Sequence, residues 1–184
     1  MQHYLIVQSA HQNEKLSQDR LSVSLTTSIP ALKSQTRKPI LVLLVHSRDP
    51  LLNSRIEAFA STGCDVALRY AEGESSLYGN DYTLPLERKL ISRLDDDDSI
   101  CKEFCETVYN AASNRTEHCI TWPTGYVFWR GSAYLLTHPY NQFPSLVTDG
   151  NSTPHDKPHQ WYARHMPTVA ASKDPGWIWV RHGI

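Results

Sequence analysis

Asp95-Asp96-Asp97-Asp98 is the densest concentration of reactive side chains in this sequence, and it directly follows the apolar segment Leu90-Ile91-Ser92-Arg93-Leu94. Four adjacent carboxylates repel one another, so such a run is tolerable only where water, a cation or backbone donors offset it. A divalent metal would do that. A solvated turn that caps a helix needs one carboxylate rather than four. The run also lacks the alternating ligands, central glycine and distal glutamate of an EF-hand loop. The pattern therefore predicts a metal site taking Mg2+ or Mn2+. Such an ion, held by one or two carboxylates, keeps positions for water and for the oxygens of a diphosphate. The chain has no GxxxxGK[ST] loop and no GxGxxG stretch, so neither a P-loop nor a dinucleotide fold is supported. What remains is a metal-bridged nucleoside diphosphate at the edge of an α/β sheet.

The elements that must position this run are legible in outline. Tyr4-Leu5-Ile6-Val7 reads as a buried strand, and a helix over about 17–34 follows, kinked or split at Pro30. Pro39 to Val45 is apolar on both faces, as a central parallel strand must be. Leu52, Ile56, Phe59 and Ala60 give the next helix a buried face, ended by Gly63, and Cys64 to Tyr70 is a third strand. This β-α-β-α-β order predicts a mostly parallel sheet flanked by helices with right-handed crossovers. From Ser99, apolar residues at Ile100, Phe104, Val108 and Ala111 predict a helix capped by Asp98 or Ser99. Residues 118–136 have the texture of antiparallel strands and hairpins, 137–176 read as loops with one short helix near 159–165, and Trp177-Ile178-Trp179-Val180 is a last strand.

The 184 residues fit a single domain, expected to divide into a nucleotide-binding half of about 1–115 and a smaller mixed or antiparallel acceptor half of about 116–184. A net charge of −1 gives no reason to expect nucleic acid or an anionic membrane as partner. No apolar run approaches the ~20 residues of a membrane span, and Met1 to Gln8 lacks the pattern of a secretory signal. The expected location is cytoplasmic. Cys64, Cys101, Cys105 and Cys119 lack CxxC spacing and are expected to pack as small apolar residues, with no disulfide and no zinc.

Taken in order, Leu32-Lys33-Ser34-Gln35-Thr36, the strand Pro39 to Val45 and the apolar segment ending in the aspartates resemble the GT-A glycosyltransferases. Arg93 to Ile100, Asn141 to Val147 and Trp177 to Gly183 are similar to the rhamnosyltransferase family within them. The resemblance implies a GT-A-like fold and sugar transfer from a nucleotide-sugar donor to a glycan or other hydroxyl acceptor. It implies that Asp95 is the first aspartate of a DxD motif, facing ribose and metal, and that Asp97 is the direct metal ligand. Asp96 with Asp98 is the alternative register. His182, in Val180-Arg181-His182-Gly183, matches the late histidine that completes the metal site in many such enzymes, and Asp49 matches a residue that contacts the base.

Arg93 and Arg181 carry guanidinium forks suited to diphosphate, though each is equally a surface arginine. Trp122, Tyr126 and Trp129 could stack on a sugar face, although strand aromatics more often serve the core. Inverting transfer needs a general base, for which Asp149 and Asp156 are the candidates, with His155 and His159 behind them. Asp156 is equally a plain helix cap. The rival functions are a non-catalytic relative that binds nucleotide or glycan, and a metal-dependent phosphohydrolase using the same aspartates.

Overall fold

The computed structural model describes residues 1–71, 84–85, 87–139, 143–150, 154 and 159–181. Its elements begin with β1 (Gln2–Gln8), α1 (Glu14–Ser24), α2 (Ser28–Ser34), β2 (Ile40–Val45), α3 (Leu52–Ala60), β3 (Asp65–Tyr70) and β4 (Lys89–Asp95). They continue with β5 (Ser99–Ile100), α4 (Phe104–Ala112), β6 (His118–Thr121), β7 (Thr124–Trp129) and β8 (Ser132–Thr137). The last are β9 (Ser145–Thr148), α5 (His159–His165), β10 (Thr168–Ala170) and β11 (Trp177–Val180).

A seven-stranded sheet has the order β10-β6-β9-β4-β1-β2-β3. Every neighbouring pair is parallel except the two made by β9, which runs against both β4 and β6. Strand alternation sends the apolar residues of these central strands to both faces of the sheet. Leu5, Val7, Leu41, Leu43, Leu90 and Leu94 point to one face, where Leu32 of α2, Phe59 of α3 and Phe104 of α4 complete the main core. Tyr4, Ile6, Val42, Leu44 and Ile91 form a second cluster on the opposite face. Each fully buried aliphatic side chain here is worth roughly 1.5–3 kcal/mol. This is the predicted α/β architecture.

A second sheet of four strands, β5-β11-β7-β8, stands beside it. β11 pairs antiparallel with β5, directly after the aspartates, and parallel with β7, while β7 and β8 form the predicted hairpin. Two close approaches lock this sheet to the core. A Cβ on Gly125 would collide with the Trp177 indole, and one on Gly176 with the Trp122 indole. Trp177 donates from Nε1 to the Trp122 carbonyl at 2.6 Å, and Trp122 stacks on Phe104 with ring centroids 5.3 Å apart. Trp122 is thus a core residue, 3% exposed, rather than a sugar platform.

Several local expectations need correction. The helix over 17–34 is split, but before Pro30: hydroxyls of Ser24, Thr26 and Thr27 turn back to the carbonyls of Arg20 and Val23 and end α1. Pro30 lies in the first turn of α2, where a missing N–H leaves no helical bond unmade. Leu25 is exposed, and α1 instead buries Ser17 and Ser24. Ser99 starts a strand rather than a helix, and α4 begins at Phe104 with no side-chain cap at Glu103. Gln35 takes over at that end: its Oε1 accepts from the Cys105 N–H at 3.0 Å, and its Nε2 donates to the Cys101 carbonyl at 2.8 Å. The predicted loop region also holds β9 and β10, too short to show a period in sequence. They join the main sheet, while β5 joins the second, so both sheets draw on both halves of the chain.

Candidate functional site

From β1 the chain moves outward through β2 and β3, then returns to place β4 on the other side of β1. In a sheet of this kind the crevice beyond the strand C-termini at such a reversal is where ligands bind. Here the two strand ends are Gln8 of β1 and Asp95 of β4, paired in register. The aspartate run emerges at that point.

The four carboxylates divide into two environments. Asp96 turns into the protein, where its Oδ2 accepts from Ser9 Oγ at 2.5 Å and from Arg55 Nη1 at 3.3 Å, and pairs with His11 Nε2 at 2.8 Å. Ser28 Oγ donates to its main-chain carbonyl. Arg55 is fully buried, and its Nε donates to Asp49 Oδ2 at 2.8 Å. Asp49 also accepts from Ser17 Oγ and the Leu51 N–H. Burial alone would raise its carboxyl, but these hydrogen bonds and the Arg55 charge outweigh that and hold it below the usual range. One guanidinium therefore ties the end of β2 to the aspartate turn. Asp49, proposed from sequence as a base contact, is 6% exposed and bonded through both oxygens inside this network.

Asp95, Asp97 and Asp98 face the other way, into an open cavity of about 300 Å³ shared with Arg20, Trp179, Val180 and Arg181. Asp97 Oδ2 is in direct contact with Arg20 Nη1. Asp95 is the most open of the three and holds a paired Arg93, whose Nε and Nη2 both donate to Asp95 Oδ1 at 3.1 Å. Asp98 Oδ1 accepts from the Val180 N–H at 2.9 Å. Burial pushes the Asp98 carboxyl well above the usual carboxylate range, and the charges on Asp95 and Asp97 push it further; the Val180 N–H and Arg20 act in the opposite sense. Carboxylates and guanidinium groups thus share one cavity. The chemistry open to the site is capture of a cation and, through it, of an anion.

The remaining sequence candidates fall apart spatially. Asp149 follows Thr148, which pairs with Lys89 at the start of β4, whereas the aspartates lie at its end. Six residues at about 3.3 Å each put Asp149 roughly 20 Å away, beyond reach of a base for chemistry in the cavity. Its charge acts instead on Lys89, whose ammonium burial pushes down and which donates to the Pro85 and Gly150 carbonyls. Asp156, His155 and His182 lie outside the described residues, as does the side chain of His159. Arg181 reaches the cavity rim and stacks 5.1 Å from the Trp179 ring centroid. Tyr126 and Trp129 each remain 37% exposed on the second sheet.

Two residues escaped the sequence reading. Arg55 shares the helical face of Leu52 and Phe59 at i, i+3, i+7 spacing, and a charge on an apolar face is a signal that could have exposed it. Arg20 had no such signal, because α1 is polar nearly all round.

The family model described as "Putative rhamnosyl transferase" matches residues 11–184. The chain belongs to that family. No curated protein matches this rhamnosyl transferase family member by sequence. Among solved structures it is similar to TarS from S. aureus, with a TM-score of 0.62, 10% identity and 98% of this chain covered, against 37% of TarS. TarS 1-349 in complex with UDP gives a TM-score of 0.64 at 9% identity, covering 98% of this chain and 61% of that one. TarS 1-349 in a further structure gives a TM-score of 0.58 at 10% identity, covering 98% of this chain and 60% of that one. The family member thus spans less than two thirds of the TarS chains it matches. At this identity the likeness establishes the fold, which is GT-A-like.

Proposed function

We propose that this chain transfers a sugar from a nucleotide-sugar donor to a hydroxyl acceptor, with the donor diphosphate held over Asp95, Asp97 and Asp98 through Mn2+ or Mg2+. The observation that carries the reading is the convergence of those three carboxylates with Arg20 and Arg181 in one cavity at the topological reversal of the sheet. Membership of a rhamnosyl transferase family supports sugar transfer, and the UDP bound to TarS makes a uridine nucleotide the first donor to try.

The residues fit a divalent cation. The carboxylate oxygens among them suit Mg2+ or Mn2+, and a cation beside Asp95 and Asp97 would offset the repulsion their charges exert on Asp98. Among the described residues no three His, Cys, Asp or Glu side chains form a closed cage. An ion held by one or two carboxylates and otherwise by water and diphosphate needs no such cage. Bound there, the cation would supply charge neutralisation for the departing diphosphate. Asp97 and Asp95 are the proposed ligands. His182 is the proposed third, supported by the Val180–Asp98 hydrogen bond two residues before it.

In the transfer the bond between the sugar anomeric carbon and the diphosphate oxygen breaks, and its electron pair leaves with the nucleoside diphosphate. The acceptor oxygen forms the new bond and loses its proton. For an inverting reaction that proton goes to a general base, and with Asp149 remote from the cavity, Asp156 is the proposed base. Arg181, which lines the cavity, is the proposed contact to diphosphate oxygens.

The direct test is to incubate the chain with UDP-, GDP- and dTDP-sugars and Mn2+ and to measure free nucleoside diphosphate. Release that depends on Mn2+ and is abolished in Asp97→Ala is the expected result. Binding without release would make the chain a nucleotide-binding relative, and hydrolysis of phosphate esters without a sugar donor would make it a phosphohydrolase.

A further inference from the structure

Arg20 and Arg55 both meet the aspartate turn, in contrasting ways. Arg55 is sealed in the interior, with its Nε, Nη1 and Nη2 all committed to Asp49, Ser9, Asp96 and Ser17. The Arg20 side chain is 28% exposed and lines the cavity. Its contact with Asp97 and its longer approach to Asp96 Oδ1, 3.7 Å, both run through Nη1. The backbone beneath it is fixed, because Ser17, one helical turn earlier on the same face, is bonded to Asp49 and Arg55. Arg20 is therefore a partly exposed cation on a helix anchored at Ser17.

Resting on the reading of the aspartates as a metal-diphosphate site, we infer that Arg20 is a built-in counter-cation: it holds Asp97 until the metal takes that carboxylate, and then turns to the donor diphosphate. The guanidinium contacts Asp97 Oδ2, so a metal held by the Asp97 carboxylate would compete with it. Asp97 shares the cavity with Asp95 and Asp98, so a cation on Asp97 offsets repulsion among the three. Once displaced, the guanidinium is within a side-chain swing of an incoming diphosphate and can bind it as a planar fork. Arg20 thus opposes metal binding in the empty site and favours nucleotide binding in the loaded one. A merely structural arginine would not act with opposite signs in the two steps.

Isothermal titration calorimetry on the intact chain separates the steps, with MnCl2 alone first and UDP, GDP or dTDP at saturating Mn2+ second. In Arg20→Met, Mn2+ alone is expected to bind about threefold to tenfold more tightly and the nucleoside diphosphate about tenfold more weakly. Arg20→Lys, which keeps the charge, is expected to leave Mn2+ affinity near wild type and restore part of the nucleotide affinity. Arg20→Gln is expected to show the signs of Arg20→Met and serves if that variant does not fold. Losses in both steps, or no change in either, would overturn the role of Arg20 while leaving the site reading intact. Failure of the wild-type chain to bind either Mn2+ or any nucleoside diphosphate would remove the site reading, and this inference with it.

Discussion

The backbone N–H of Val180 donates to Asp98 Oδ1 at 2.9 Å, joining residues 82 positions apart in the chain. Through this bond the last strand braces the aspartate turn. β11 is in turn seated by Trp177, which packs on Gly125, and by Gly176, whose carbonyl accepts from the Cys101 N–H and whose Cα lies against Trp122. The geometry of the cavity therefore depends on tryptophan packing in a sheet that holds none of the aspartates.

Gly176→Ala should make that dependence visible. The added methyl meets the Trp122 indole, which is itself fixed by stacking on Phe104. Overpacking of this kind costs about 1–3 kcal/mol. The expected outcome is a lowered thermal midpoint together with weakened nucleotide binding, read by calorimetry on the folded variant. Weakened binding with an unchanged midpoint would mean that the strand is not the route.

The two central aspartates should behave oppositely. Asp96→Ala leaves Arg55 buried without a full set of partners, a defect worth about 3–5 kcal/mol, and should be seen as a large drop in the urea midpoint. Asp97→Ala removes a contact to a partly exposed arginine and relieves repulsion on Asp98. Its stability should fall less than that of Asp96→Ala, while binding of Mn2+ and nucleotide is lost.

Arg55→Lys should fail to rescue the fold. Three guanidinium nitrogens bond in different directions to groups on four residues. A single ammonium cannot reproduce that fork. The variant should lie closer in urea stability to Arg55→Met than to wild type.

The sheet carries its own pH dependence. His3 is buried, with Nε2 hydrogen-bonded to Ser92 Oγ at 2.8 Å, and burial followed by the Arg37 charge pushes its pKa down to about 3. The unfolded chain regains a value of about 6.5, so protonation favours unfolding. Its contribution is therefore complete above about pH 6.5 and is lost as pH falls toward the folded value, at up to about 1.4 kcal/mol per pH unit. Urea midpoints between pH 7 and pH 4 should show this slope, and His3→Gln should flatten it.

Sequence alone revealed β1 and β2, because burial on both faces makes the runs Tyr4 to Val7 and Ile40 to Val45 continuously apolar. It also marked the aspartates, since a charge cluster after such a strand has few structural explanations. It did not show which aspartate faces which way. That choice is made by Ser9, Arg55 and Ser28, which reach Asp96 from 41 to 87 residues away. β9 was hidden because four residues carry too little period, and its reversed direction is what removes Asp149 to the far end of the sheet. Ser99 was misread as a helix start because Ile100, Phe104 and Val108 have helical spacing whether or not the first of them belongs to the helix.

The central claim is that Asp97 and its neighbours hold a nucleoside diphosphate through a divalent cation. Thermal unfolding of the chain with UDP, GDP or dTDP, each with and without Mn2+, tests it most directly. At least one nucleotide should raise the midpoint only when Mn2+ is present, and that rise should vanish in folded Asp97→Ala. Stabilisation that is independent of Mn2+, or that survives in Asp97→Ala, would contradict it.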